Sequence, residues 1–267
     1  MTFVLMKLAL SSAQRALLVL AGAMAVLFSS VSQAQGVPRI AAASDLQFAL
    51  ETVVTRYTRE TGRQVRVTYG SSGTLATQIM QGAPFDVFMS ADESLVFRLA
   101  DQGLTQGRGV VYGLGRLVLF APNGSGLALD AGLAGLADAL KAGRIARFAI
   151  ANPEHAPYGR AARETLITAG LWPDIQARLV LGENVSQAAQ FAASGNAQGG
   201  LFALSLVMSP ALAAAGRHVL IPESAHAPLR QRMALLRGAG PEAAAFYTYL
   251  QQADARALMS RYGFAQP

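Results

Sequence analysis

Short apolar runs of strand length alternate along this chain with longer segments of helical periodicity, and that alternation limits its fold more than any other feature. Residues 39–43, Arg-Ile-Ala-Ala-Ala, read as a strand. Leu46, Leu50, Val53, Val54 and Tyr57 then recur at helical spacing as far as Gly62. Between them, Ser44-Asp45-Leu46-Gln47 has the spacing of a capping box. The unit repeats with a strand at 65–69, a turn at 70–73 and a helix at 75–81. It repeats again with a strand at 86–90 and a helix at 95–102. Strand, helix, strand, helix implies a parallel sheet with right-handed crossovers.

A strongly apolar strand at 116–121 and the turn Pro122-Asn123-Gly124-Ser125-Gly126 open a second series. It runs through strands at 148–151, 178–181, 200–203 and 218–221, with helices at 159–169 and from a second capping box, Asn184-Val185-Ser186-Gln187, to Gly195. A strand at 229–236 and one helical tail over 242–262 complete it, Phe246, Leu250 and Leu258 sharing a face. The expected fold is α/β and two-lobed, each lobe a mixed, mostly parallel sheet flanked by helices. One lobe takes 35–117 and 223–267, the other 118–222. The cleft between them is expected at the C-terminal ends of strands and the N-termini of helices.

The first 34 residues stand outside this pattern. Lys7 and Arg15 precede an apolar run over 16–28, and Ser32-Gln33-Ala34 is a small-x-small cleavage site. The run is short of a membrane span, so 1–34 reads as a secretory signal peptide and the protein as periplasmic. The chain has no cysteine, which removes disulfides, thiolate metal sites and thiol catalysis. Lys and Arg outnumber Asp and Glu 22 to 16 without basic runs, the pattern of a solvated surface and not of a nucleic-acid partner.

Enzyme signatures are missing too: no phosphate-binding loop, no nucleophile elbow, no dinucleotide fingerprint, no zinc-protease motif. His155, His218 and His226 lack metal-ligand spacing. Trp172, the single tryptophan, reads as packing near a helix end. What recurs is a hydroxyl or amide residue where a strand passes into a helix: Ser44, Ser71-Ser72 and Asn184. Each alone is an ordinary cap. Together, with the loop at Tyr158, they place several helix N-termini around one cleft, an anion site built without Lys or Arg. Neutral N–H and O–H donors suit an oxyanion that has no proton of its own to place.

Four segments carry a family resemblance: 41–46 (Ala-Ala-Ala-Ser-Asp-Leu), 69–76 (Tyr-Gly-Ser-Ser-Gly-Thr-Leu-Ala), 81–92 (Gln-Gly-Ala-Pro-Phe-Asp-Val-Phe-Met-Ser-Ala-Asp) and 152–159 (Asn-Pro-Glu-His-Ala-Pro-Tyr-Gly). With the ending Tyr262-Gly263-Phe264, the chain from Pro38 to Phe264 resembles the molybdate-binding periplasmic proteins of ABC transporters. The resemblance implies a type II periplasmic binding protein that closes like a hinge on molybdate or tungstate and docks on a membrane permease. It further implies a monomer with no catalytic activity, no cofactor and no cation site. Ser44 and Ser72 match the serines that give hydroxyl and N–H donors, and Tyr158 and Val185 match positions giving backbone N–H groups. Asp45 is expected to offer its N–H and turn its carboxylate elsewhere; a carboxylate turned into the cleft would accept a proton from hydrogen phosphate and favour that ligand. Ala203 stands where some members place a ligand-binding tyrosine, and Tyr158 is the phenol nearest to replacing it. The alternatives are a receptor for sulfate, phosphate or another small oxyanion and, more remotely, a secreted serine hydrolase using Ser72.

Overall fold

The computed structural model describes residues 36–266; the segment read as a signal peptide, 1–34, lies outside the described residues. The first sheet takes β1 (Arg39–Ala43), β2 (Arg66–Gly70), β3 (Val87–Ser90) and β4 (Val110–Gly115). A 3₁₀ turn at Ser44–Leu46 leads from β1 into helix α1 (Gln47–Thr61); α2 (Ser72–Met80) and α3 (Glu93–Asp101) follow β2 and β3. The second sheet takes β5 (Leu117–Pro122), β6 (Phe148–Ala151), β7 (Leu179–Gly182), β8 (Gly200–Ala203) and β9 (Gly216–Leu220). Its helices are α4 (Ala134–Lys141), α5 (Pro157–Thr168), α6 (Trp172–Ile175), α7 (Val185–Ala193), α8 (Leu204–Val207) and α9 (Pro210–Ala215). The chain then returns to the first sheet as β10 (Leu229–Leu235) and closes with α10 (Pro241–Tyr249) and α11 (Ala253–Arg261).

Strand order is β2-β1-β3-β10-β4 in one sheet and β7-β6-β8-β5-β9 in the other. In the first, β1 runs parallel to β2 and β3 while β10 is antiparallel to β3 and β4. In the second, β6 runs parallel to β7 and β8, and β5 is antiparallel to β8 and β9. The chain therefore passes between the sheets twice, at Arg116 and between Leu220 and Leu229. Helices cover both faces of the first sheet. Ile40, Ala42, Val87 and Met89 pack on one side of it, and Ala41, Phe88 and Ala234 on the other. A strand buried on both faces reads as a continuous apolar run, which is what β1 and β3 are.

Four local expectations need correcting. The capping box at 44–47 does not form: Ser44 makes no cap hydrogen bond, a 3₁₀ turn intervenes, and Ser44 and Gln47 both turn to Ser186 of the other sheet. The strand β4 has no counterpart in the sequence reading because Gly113 and Gly115 dilute its alternation. Helix α4 is also new; Asp130 starts it by accepting from the N–H groups of Ala134 and Gly135 at 2.9 and 2.7 Å. The tail is two helices. The chain turns extended at Gln252 (ψ 151°), which buries Leu250 and sets Tyr249 edge-on against Tyr57 at 4.9 Å between ring centres. At Asn184 the cap does form, its side chain accepting from the N–H of Gln187 at 3.1 Å. Trp172 is half-buried against the core of the second sheet.

Candidate functional site

The parallel strands of both sheets end toward one another. Ser44 and Asp45 follow β1, Ser71 and Ser72 follow β2, and Ala91 follows β3. Pro157 and Tyr158 lie past β6, and Val185 past β7. These residues, with Ala43, Gly70 and Ala156, line one small cavity with room of about 10 Å³ for the centre of a water-sized sphere. All five residues nominated from the sequence, Ser44, Asp45, Ser72, Tyr158 and Val185, are therefore in its wall, and each is buried. None of the lining residues is Lys, Arg or His.

The donors around this cavity can be counted. Ser72, Tyr158 and Val185 stand in the opening turns of α2, α5 and α7, where backbone N–H groups have no acceptor within the helix. No backbone carbonyl of the described residues accepts from them or from the N–H of Ser44. The hydroxyl of Ser72 accepts from the N–H of Ala91 at 3.0 Å, and that of Ser44 from the N–H of Ser186 at 3.3 Å. Each oxygen thus accepts one hydrogen bond from the protein and keeps its own proton to donate. Ser71 is spent elsewhere, donating to the carbonyl of His155 at 2.6 Å. The Ser72 oxygen is engaged by a backbone amide, and the base that the hydrolase alternative needs is not among the hydrogen-bond partners of its hydroxyl in the described residues.

A buried polar chain closes the far wall. Tyr112 donates to Oε1 of Gln231 at 2.7 Å, which orients the amide. Gln231 Nε2 then donates to Asp45 Oδ2 at 2.6 Å and to the Tyr158 hydroxyl at 3.1 Å. Asp45 Oδ1 has no hydrogen-bond partner. Burial raises the Asp45 carboxyl to about 6; Gln231, Tyr158 and the N–H groups of Asp45 and Leu46 restrain that rise. The Tyr112 and Tyr158 phenols are pushed well above their ordinary value by burial and then by the Asp45 charge. Asp45 is a residue of the cavity wall, and its carboxylate, expected to lie away from the guest, accepts from Gln231, which is not among the lining residues.

Sequence reasoning missed Gln231, Tyr112 and Gly115. Gln231 had a signal: it lies between Leu229 and Met233 on the buried face of β10, while Arg230 and Arg232 alternate outward. Gly115 is explained only by its neighbours, since a Cβ there would collide with the Tyr158 hydroxyl and come within 2.6 Å of Gln231 Nε2.

The lobes are in contact across the cavity mouth. The N–H of Gly73 donates to the His155 carbonyl at 3.0 Å, Arg160 pairs with Asp92 at 2.8 Å, and Ser186 donates to Gln47 at 2.9 Å. Outside this seam lies a groove of about 690 Å³ carrying Asp92, Arg98, Glu154 and Arg160, whereas the inner cavity has no cationic side chain in its wall.

The profile of the bacterial extracellular solute-binding proteins matches residues 38–265. The molybdate-binding protein ModA of Azotobacter vinelandii is 32% identical over 241 residues, covering 89% of this chain and 93% of that one. ModA of Rhodobacter capsulatus is 34% identical over 211 residues, 78% of this chain and 80% of its own. The solved periplasmic molybdate-binding protein of Azotobacter vinelandii superimposes with a TM-score of 0.78 at 30% identity, over 86% of this chain and 99% of that one. The chain belongs to the bacterial extracellular solute-binding proteins, among relatives of the ModA type.

Proposed function

We propose that the protein is the extracytoplasmic receptor of a molybdate importer, a binding protein without catalytic activity. The observation that carries this reading is the cavity between the two sheets, walled by unpaired N–H groups and free hydroxyl protons with no cationic side chain. Molybdate is a proton-free dianion whose four oxygens are all acceptors, and the amides and hydroxyls of this wall answer them with donors. Tungstate, of the same charge and nearly the same size, fits equally. The ligands assigned are the hydroxyl and N–H of Ser44 and Ser72 and the N–H groups of Tyr158 and Val185. Likeness to two ModA proteins over most of the chain supports the same choice.

The lobes are 35–117 with 223–267, and 118–222, a division the strands support except that Leu117 already opens β5 of the second sheet. The anion bridges them and so stabilises the closed form by contacts the open form lacks. Residues 1–34 direct export to the periplasm, where the loaded monomer hands its cargo to the membrane permease of an ABC transporter. Calorimetric titration with molybdate tests this. Ser44→Ala and Ser72→Ala should each weaken binding by about 1–3 kcal/mol, the loss of one donor to a charged acceptor. Unchanged affinity in either variant would displace that serine from the site, and equal affinity for sulfate would remove molybdate as the ligand.

A further inference from the structure

The Asp45 carboxyl is a difficulty for any dianion in this cavity. Asp45 is a lining residue, it is fully buried, and one of its carboxyl oxygens has no partner. Its surroundings bring no positive charge. The 3₁₀ turn that carries it packs against α1, α7, α8 and β2. Helices α7 and α8 contain no ionisable residue. Strand β2 brings Tyr69, whose hydroxyl is turned to the Gln47 carbonyl, and Arg66, which is exposed. Along α1, Glu51, Arg59 and Glu60 are exposed, and Arg56 pairs with Glu60 and Asp254. The remaining titratable neighbours, Tyr158 and Tyr112, are neutral phenols. Gln231 Nε2 gives one proton to Oδ2 and the other to the Tyr158 hydroxyl, which leaves none for Oδ1. A carboxylate here would share a small, buried cavity with a dianion, with only neutral donors beside it and no cation from these elements to offset the repulsion.

We propose that Asp45 enters the closed, loaded site as the neutral acid, its Oδ1 donating a proton to the guest, so that each dianion is taken up together with one proton from solvent. This rests on the oxyanion reading above and adds one donor to the six assigned there. Without a guest the carboxyl already titrates near 6 in the closed form. A neighbouring dianion raises it further. A group whose pKa rises on binding favours binding below its free value and loses that contribution as pH climbs. Affinity should therefore be level below about pH 6 and fall by up to about tenfold per pH unit above it.

The test is the molybdate dissociation constant at pH 6.5, 7.5 and 8.5, a range in which the free anion is a dianion throughout. The wild type should bind at least about tenfold more weakly at pH 8.5 than at 6.5, approaching a hundredfold. Asp45→Asn keeps a neutral donor at the same place and should give a flat profile, binding more tightly than the wild type at pH 8.5. The wild type and the variant share every other residue at the mouth, so the difference between their profiles belongs to Asp45. As a measurement independent of that variant's folding, calorimetry at pH 8 in two buffers of different ionisation enthalpy should count close to one proton absorbed per anion bound. A wild-type affinity constant within twofold, a proton count near zero, or the same slope in Asp45→Asn would overturn the proposal while leaving the receptor reading intact. Failure to bind molybdate at every pH would overturn the receptor reading itself.

Discussion

Gly73→Ala should abolish tight closure while leaving both lobes folded. Gly73 is the second residue of α2, and its N–H donates to the His155 carbonyl of the facing lobe at 3.0 Å. A Cβ at this position would be driven into that carbonyl, backbone against side chain, with no flexible group able to yield. Within its own helix alanine is the better residue, so the unliganded protein should melt no lower than the wild type. Closure must then shift the lobes apart, at a cost of about 1–3 kcal/mol typical of overpacking. Molybdate affinity should fall roughly five- to 150-fold. Titration calorimetry beside a melting curve checks both halves. Binding within twofold of wild type would mean that the lobes do not meet on this contact when loaded.

The second large effect is on stability. At a thousandfold excess over its dissociation constant, an anion bound only by the folded, closed protein adds roughly 4 kcal/mol. For a chain of this length that corresponds to about 10 °C in melting temperature. Molybdate and tungstate should produce this shift at concentrations where sulfate and phosphate produce much less. The size of the shift follows from cavity geometry: contacts from Ser44 and Ser72 on one side and Tyr158 and Val185 on the other exist together only when the lobes meet. Equal shifts with sulfate would point to a less selective oxyanion receptor. Absence of a shift with any oxyanion would remove this class of ligand.

Much of the architecture was legible because local and tertiary demands coincide in it. Strands β1 and β3 are buried on both faces and read as apolar runs; α1 ends at Gly62, whose φ of +71° few other residues adopt cheaply. Asn184 caps α7 as its spacing suggests. Legibility failed where a residue answers to something distant in sequence. Ser44 has the form of a cap, yet its hydroxyl meets Ser186, 142 positions away. Gly115 makes β4 look broken, but it is glycine because the Tyr158 ring tip and Gln231 occupy the space of its side chain. The break at Gln252 serves the packing of Tyr249 on Tyr57, which no periodicity records.

The site shows the same division. Residues at strand-to-helix junctions, Ser44, Ser72, Tyr158 and Val185, could be nominated because helix starts are visible in a sequence and their chemistry is fixed by backbone geometry. The polar chain from Tyr112 through Gln231 to Asp45 joins β4, β10 and the turn after β1, three segments that meet only through the second passage between sheets. Asp45 could be named beforehand, but the placement of its carboxylate follows from Gln231.

The most direct measurement is the crystal structure of the protein soaked or grown with molybdate. The oxygens of the anion should lie within hydrogen-bond distance of the hydroxyls of Ser44 and Ser72 and the backbone amides of Ser44, Ser72, Tyr158 and Val185, with every arginine and lysine out of contact. An anion lodged instead in the outer groove beside Arg98 and Arg160, or a cationic side chain drawn onto it in the inner cavity, would contradict recognition by neutral donors.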